Sequence, residues 1–80
     1  MPKKIRIGMM NVTTTQATMV GAFDDYGSIV ASSIDVDPAT GQSLGVGHVE
    51  YTTEQAGTNA INAMNGATLD GATIRVLEDT

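Results

Sequence analysis

Two short segments, 4–10 and 44–51, alternate in character with period two, and this constrains the fold more than any other feature of the chain. Lys4, Arg6 and Gly8 fall on one side of the first, and Ile5, Ile7 and Met9 on the other. That is the pattern of a strand with one buried face. The second, Leu-Gly-Val-Gly-His-Val-Glu-Tyr, separates Leu44, Val46, His48 and Glu50 from Gly45, Gly47, Val49 and Tyr51 in the same way. An antiparallel sheet of such strands builds a core on one side and leaves the other open, so function is sought on the open side.

The intervening residues supply the rest of the layers. Thr13, Thr14 and Thr15 are candidate N-caps, because a hydroxyl accepts from the free amides of a first helical turn. Met19, Ala22, Phe23 and Tyr26 follow at i, i+3, i+4 and i+7, the apolar stripe of a helix that Gly27 ends. Residues 29–36 predict a second strand, with Ile34 and Val36 inward and Ser33 and Asp35 outward. Asp37-Pro38-Ala39-Thr40-Gly41 has strong turn chemistry, so 44–51 returns as the second arm of a hairpin.

Thr52 and Gln55 have capping-box spacing. They precede a helix with Ala56, Ala60, Ile61 and Met64 on its apolar face, closed at Asn65-Gly66. Leu69-Asp70-Gly71 turns the chain into a last strand, 73–77, with Ile74 and Val76 inward. Met9, Met10, Met19 and Met64 are expected as core filler. The order β-α-β-β-α-β predicts an α+β fold over 1–80 as one domain. It is a ferredoxin-like sandwich, a four-stranded antiparallel sheet with two helices on one face.

Composition excludes several function classes. There is no cysteine and one histidine, so neither a thiolate site nor a histidine cluster is available; no metal and no cofactor are expected. No apolar run approaches the ~18 residues of a membrane span. Met-Pro-Lys-Lys-Ile is not followed by the apolar core of a signal peptide, and a cytoplasmic location is the default expectation. No serine, histidine and acid fall into a catalytic order, and Gly45-x-Gly47 neither has a third glycine nor opens a helix, so no enzyme activity is expected. A net charge of −5 and a pI near 4.3, taken alone, argue against a polyanionic partner.

Several strings occur in order and at a spacing that resembles an RNA recognition motif over about 4–78. They are the two alternating strands, Phe23-Asp24-Asp25-Tyr26-Gly27, the Asp37…Thr40-Gly41…Ser43…Gly45 loop, Ala60-Ile61…Met64-Asn65-Gly66, and Leu69-Asp70-Gly71. The resemblance implies that 5–10 and 44–51 are the two central strands and that single-stranded RNA lies across their open face. In that family the octamer strand usually reads basic-Gly-aromatic-Gly/Ala-aromatic-aliphatic-x-aromatic. Here Leu44 replaces the basic residue, and Val46 and His48 replace the stacking aromatics, while Gly45, Gly47, Val49 and Tyr51 fit. In the hexamer strand Arg6 takes the place of the aromatic, and the usual Asn-Leu ending is Met9-Met10.

Alternation assigns to the open face Lys4, Arg6, Gly8, Ser33, Asp35, Leu44, Val46, His48, Glu50, Thr73, Arg75 and Leu77. Its three cations against two carboxylates leave a formal +1. Two readings follow. In the first, Arg6 and His48 stack on bases, Val46 packs against a base or sugar, and Lys4 and Arg75 contact phosphates. Two missing aromatic stacks, at ~1–3 kcal/mol each, predict weak binding. In the second, Leu44, Val46 and Leu77 form an apolar patch covered by a protein partner or a second copy of the chain. Asp24-Asp25 and Glu78-Asp79 read as solvated ends.

Overall fold

The computed structural model describes residues 1–79. Its elements in chain order are β1 (Lys3–Gly8), α1 (Gln16–Phe23) continued by a 3-10 turn (Asp24–Tyr26), β2 (Ile29–Val36), β3 (Ser43–Tyr51), α2 (Glu54–Met64), β4 (Thr68–Leu69), β5 (Ala72–Thr73) and β6 (Arg75–Glu78). The main sheet runs β2-β3-β1-β6 with every pairing antiparallel, so β1 and β3 are central as expected. Both helices lie on one face, giving the ferredoxin-like β-α-β-β-α-β sandwich.

The core is built from the inward halves of the alternating strands. Ile5, Ile7, Val49, Tyr51, Ile74 and Val76 meet Met19 and Phe23 of α1 and Ala56 and Ala60 of α2, all buried. Gly47 is also inward, and a Cβ there would run into the Met19 sulfur and the Met10 methyl; both methionines use the space it leaves. The Tyr51 hydroxyl donates to the Phe23 carbonyl at 2.7 Å, and burial pushes its ionisation far above the usual phenol range. Tyr51 is therefore a core residue with a satisfied polar tip.

Thr15, one of the three candidates, caps α1, its hydroxyl accepting from the Thr18 amide. Other local expectations are corrected. For α2 the cap is Thr53, accepting from the Ala56 amide, and no Thr52–Gln55 box forms. Thr52 is still tied to the strand layer, its amide donating to the Ser28 carbonyl at 3.0 Å, so the helix starts one residue later. The strand expected over 73–77 is divided: Thr73 pairs with Thr68 in a small separate hairpin, and only Arg75–Glu78 join β1. The Asp70-Gly71 turn, with both φ values positive (51° and 80°), closes that hairpin in the geometry suited to a two-residue loop.

Alternation fails at two further points. Met9, expected inward, is 66% exposed with φ 60°, while Met10 is buried. One left-handed residue after Gly8 shifts the parity, so Met10 takes the inward place. Val36 is half exposed because the β2–β3 register jumps from Ile34↔Gly47 to Val36↔Ser43, two residues of β2 against four of β3. The extra length of β3 bows at Gly45, whose φ of 77° suits glycine and whose carbonyl accepts from the Met10 amide at 2.9 Å. A Cβ at Gly45 would press on the Met10 carbonyl.

Candidate nucleic-acid interface

Pairing register turns the open face into rows. Arg6 lies opposite His48 on one side and Leu77 on the other, and His48 lies opposite Ser33, so Ser33, His48, Arg6 and Leu77 cross the sheet together. The neighbouring row holds Ala31, Glu50 and Lys4, and the Asp79 amide donates to the Lys4 carbonyl at 3.0 Å. Gly8 pairs with Arg75 on the opposite side of the Arg6 row. Lys4, Arg6 and Arg75 are exposed, and Val46 and His48 are half-buried. All five residues expected to bind RNA therefore stand on one surface.

That surface is not uniform. Arg6, Gly8, Met9, Val46, Arg75 and Leu77 line a hollow over the β1–β6 half. Its floor is apolar, its two charged walls are guanidinium groups, and among the described residues no carboxylate lines it. Of the apolar trio, Val46 and Leu77 share this hollow, with Met9 as an unforeseen third member; Leu44, 56% exposed, does not line it. Thr73, expected on the face, belongs to the small hairpin instead.

A second depression over the β2–β3 half is lined by Lys4, Ala31, Ser32, Ser33, His48, Val49, Glu50 and Asp79. Here the charges are predominantly acidic. His48 Nδ1 sits 2.8 Å from Asp79 Oδ2, and Nε2 sits 3.2 Å from Asp35 Oδ2. Partial burial works against its charge, but the hydrogen bonds to Asp35 and Asp79 and their negative charge outweigh it, and the histidine ionises above its usual 6.5. With both nitrogens taken up, His48 has only its ring carbons and ring face left for a ligand.

Asp79 changes the electrostatics inferred from alternation alone. It is not a free solvated end but a third carboxylate on the open face, which among the described residues carries three cations and three carboxylates when His48 is neutral. The signal that could have found it is plain: Asp79 has the same parity as Arg75 and Leu77, so one more step of the alternation puts it beside them. Met9 also carried a signal, since the position it occupies usually holds asparagine in the resembling family, and asparagine tolerates the left-handed conformation better than methionine.

The comparisons agree with this architecture. The sequence profile of the RNA recognition motif matches residues 5–75. The chain is 40% identical over 76 residues to glycine-rich RNA-binding protein 2, mitochondrial, of Arabidopsis thaliana, covering 95% of this chain and 48% of that protein. It thus spans about half the length of that relative, and only 17% of an organelle RRM domain-containing protein 1 of Zea mays that it also matches. Among solved structures, the first two RRM domains of yeast poly(U) binding protein superpose with a TM-score of 0.92 at 29% identity, over 99% of this chain and 48% of that one. An Sxl-lethal protein–RNA complex superposes with a TM-score of 0.91 at 28% identity, over 96% of this chain and 47% of that one. A profile match across nearly the whole chain, on a sheet whose central strands pair as the motif requires, shows that the chain belongs to the RNA recognition motif family.

Proposed function

We propose that this chain binds single-stranded RNA weakly through the open face of its sheet, with the hollow between Arg6 and Arg75 as the main contact. The observation that carries the reading is that hollow: an apolar floor of Met9, Val46 and Leu77 between two guanidinium groups, with no carboxylate of the described residues on its walls. A nucleotide matches it, because a base needs an apolar or planar surface and its phosphate needs a cation. Arginine serves both needs, stacking through its plane and bonding phosphate oxygens through its fork. Family membership, relatives named for RNA binding and a similar fold solved with RNA support the same assignment.

Binding is weak because no phenylalanine, tyrosine or tryptophan stands on the face among the described residues and acids share it. The test is a titration of a short random single-stranded RNA pool at low salt, followed by fluorescence anisotropy. With Lys4, Arg6 and Arg75 as the phosphate contacts, log K falls with log salt at a slope near about −2, the single-strand value for three charges. Absence of saturable binding at low salt, or unchanged affinity in the Arg6→Ala/Arg75→Ala variant, removes the proposal. If the hollow is instead covered by protein, sedimentation shows a concentration-dependent dimer that Leu77→Lys dissolves, with no RNA bound.

A further inference from the structure

We propose that RNA binding on this face is coupled to a proton on His48: the imidazolium, held between Asp35 and Asp79, is the fourth cation of the platform, and affinity rises when it forms. The inference rests on the RNA reading above and concerns its regulation.

The geometry carries it. Both ring nitrogens of His48 lie within hydrogen-bond distance of a carboxylate oxygen, 2.8 Å to Asp79 and 3.2 Å to Asp35. A carboxylate only accepts, so both contacts are hydrogen bonds only when both nitrogens carry protons. A neutral ring has one bare nitrogen, whose lone pair would face an anionic oxygen. The arrangement is therefore specific for the charged ring. It links three separate parts of the chain: β2 through Asp35, β3 through His48 itself, and the residue after β6 through Asp79.

Other charges face this group from each neighbouring strand. β1 contributes Arg6 directly opposite His48, with Lys4 one step along the same face; β3 contributes Glu50; β6 contributes Arg75, opposite Gly8. With His48 neutral, three cations balance Asp35, Glu50 and Asp79. With His48 charged, the face carries a net +1, and the positive contribution is placed beside Arg6, at the boundary between the acidic half and the hollow. A polyanion spanning that boundary favours the charged ring, and by linkage the charged ring favours the polyanion to the same degree. His48 is also the only histidine of the chain, so its titration is not confused with another imidazole.

The test uses the random RNA pool at constant low salt, at about pH 6 and about pH 8.5, the window in which histidine changes charge. Wild type is expected to bind about threefold to tenfold tighter at the lower pH, the effect of one partly screened charge near a phosphate. His48→Gln, which keeps a polar side chain but cannot titrate, is expected to show the same affinity at both values. That control also separates His48 from the α-amino group. A second reading comes from the ring nitrogen resonances: RNA added near pH 7.5 is expected to raise the protonated fraction of His48, and Asp35→Asn/Asp79→Asn is expected to lower its titration midpoint in the free protein. Wild-type affinity that is flat with pH, or that rises with pH because RNA displaces the two carboxylates, overturns the coupling while leaving RNA binding in place. Failure to bind RNA at either pH removes both proposals. A pH response that persists in folded His48→Gln assigns the effect elsewhere and overturns this one.

Discussion

The two halves of the open face share one sheet and one alternation, yet they offer a ligand different chemistry. Over β1 and β6, Arg6 and Arg75 flank an apolar floor of Met9, Val46 and Leu77. Over β2 and β3, Asp35, Glu50 and Asp79 crowd around His48 and Lys4. The first half has cations without local counter-ions on its walls, so a phosphate gains attraction there at low desolvation cost. The second has its one ionisable ring already satisfied by carboxylates. The net charge of the whole chain describes neither half. What counts for a polyanion within a Debye length of the surface, about 8–10 Å at ordinary ionic strength, is the local arrangement.

The largest expected effect tests the cationic half. Arg6→Ala/Arg75→Ala is expected to weaken RNA binding about 100-fold, roughly tenfold for each charge-assisted contact. The salt slope should shrink in magnitude by about 1.4, two single-strand charges. Both arginines are exposed, so the melting temperature should stay close to wild type; a large drop would mean that the loss of affinity reports unfolding. The next effect tests the acidic half from the other direction. Asp35→Asn/Asp79→Asn is expected to strengthen binding about threefold to tenfold at slightly alkaline pH, by removing two nearby negative charges. If this variant binds more weakly, the carboxylates are ligand contacts and the division of the face is wrong.

The layers and central pairing were legible in sequence because period-two alternation reports directly on which side of a strand meets the core. Ile5, Ile7, Val49, Tyr51, Ile74 and Val76 all follow it. The same rule found Arg6, Val46, His48, Lys4 and Arg75 on one face. It failed where the backbone leaves the regular strand: at Met9, where a left-handed residue changes the parity, and at Val36, beyond the register jump. Alternation also says nothing about cross-strand bonding. The capture of His48 by Asp35 and Asp79 depends on β2 pairing with β3 and on the residue after β6 reaching across β1, an arrangement in three dimensions that no local pattern contains. Tyr51 shows the converse: an aromatic in a family octamer position need not touch ligand, since its place in the alternation is inward.

Met9 gives a second, smaller test of the cationic half. A non-glycine residue at φ 60° costs on the order of 1–2 kcal/mol relative to its preferred conformations, and asparagine pays less of this than methionine. Met9→Asn is therefore expected to stabilise the fold by about 0.5–1 kcal/mol in chemical denaturation, since Met9 is largely exposed and little packing is lost. The same substitution removes an apolar wall of the hollow and should weaken RNA binding by a few-fold. A variant both more stable and weaker in binding identifies Met9 as strain kept at the ligand surface. One that is less stable shows that its side chain packs more than its exposure indicates.

The smallest effect sharpens the account of the acidic half. The pairing with Asp35 and Asp79 raises the ionisation of His48 above its unfolded value of 6.5. Such a group contributes stability in full below 6.5, and the contribution is lost as pH rises through the higher folded-state value. The three groups are solvent-accessible, with side-chain exposures of 32% for His48, 47% for Asp35 and 33% for Asp79, so screening holds the contribution below about 1 kcal/mol. Denaturation midpoints measured at about pH 6 and about pH 8.5 should therefore fall slightly across the interval in wild type. In His48→Gln the difference due to this ring disappears. An opposite slope carried by His48 would mean that desolvation outweighs both carboxylates. The ring would then stand neutral in the fold, leaving the acidic half with no fourth cation to offer a phosphate.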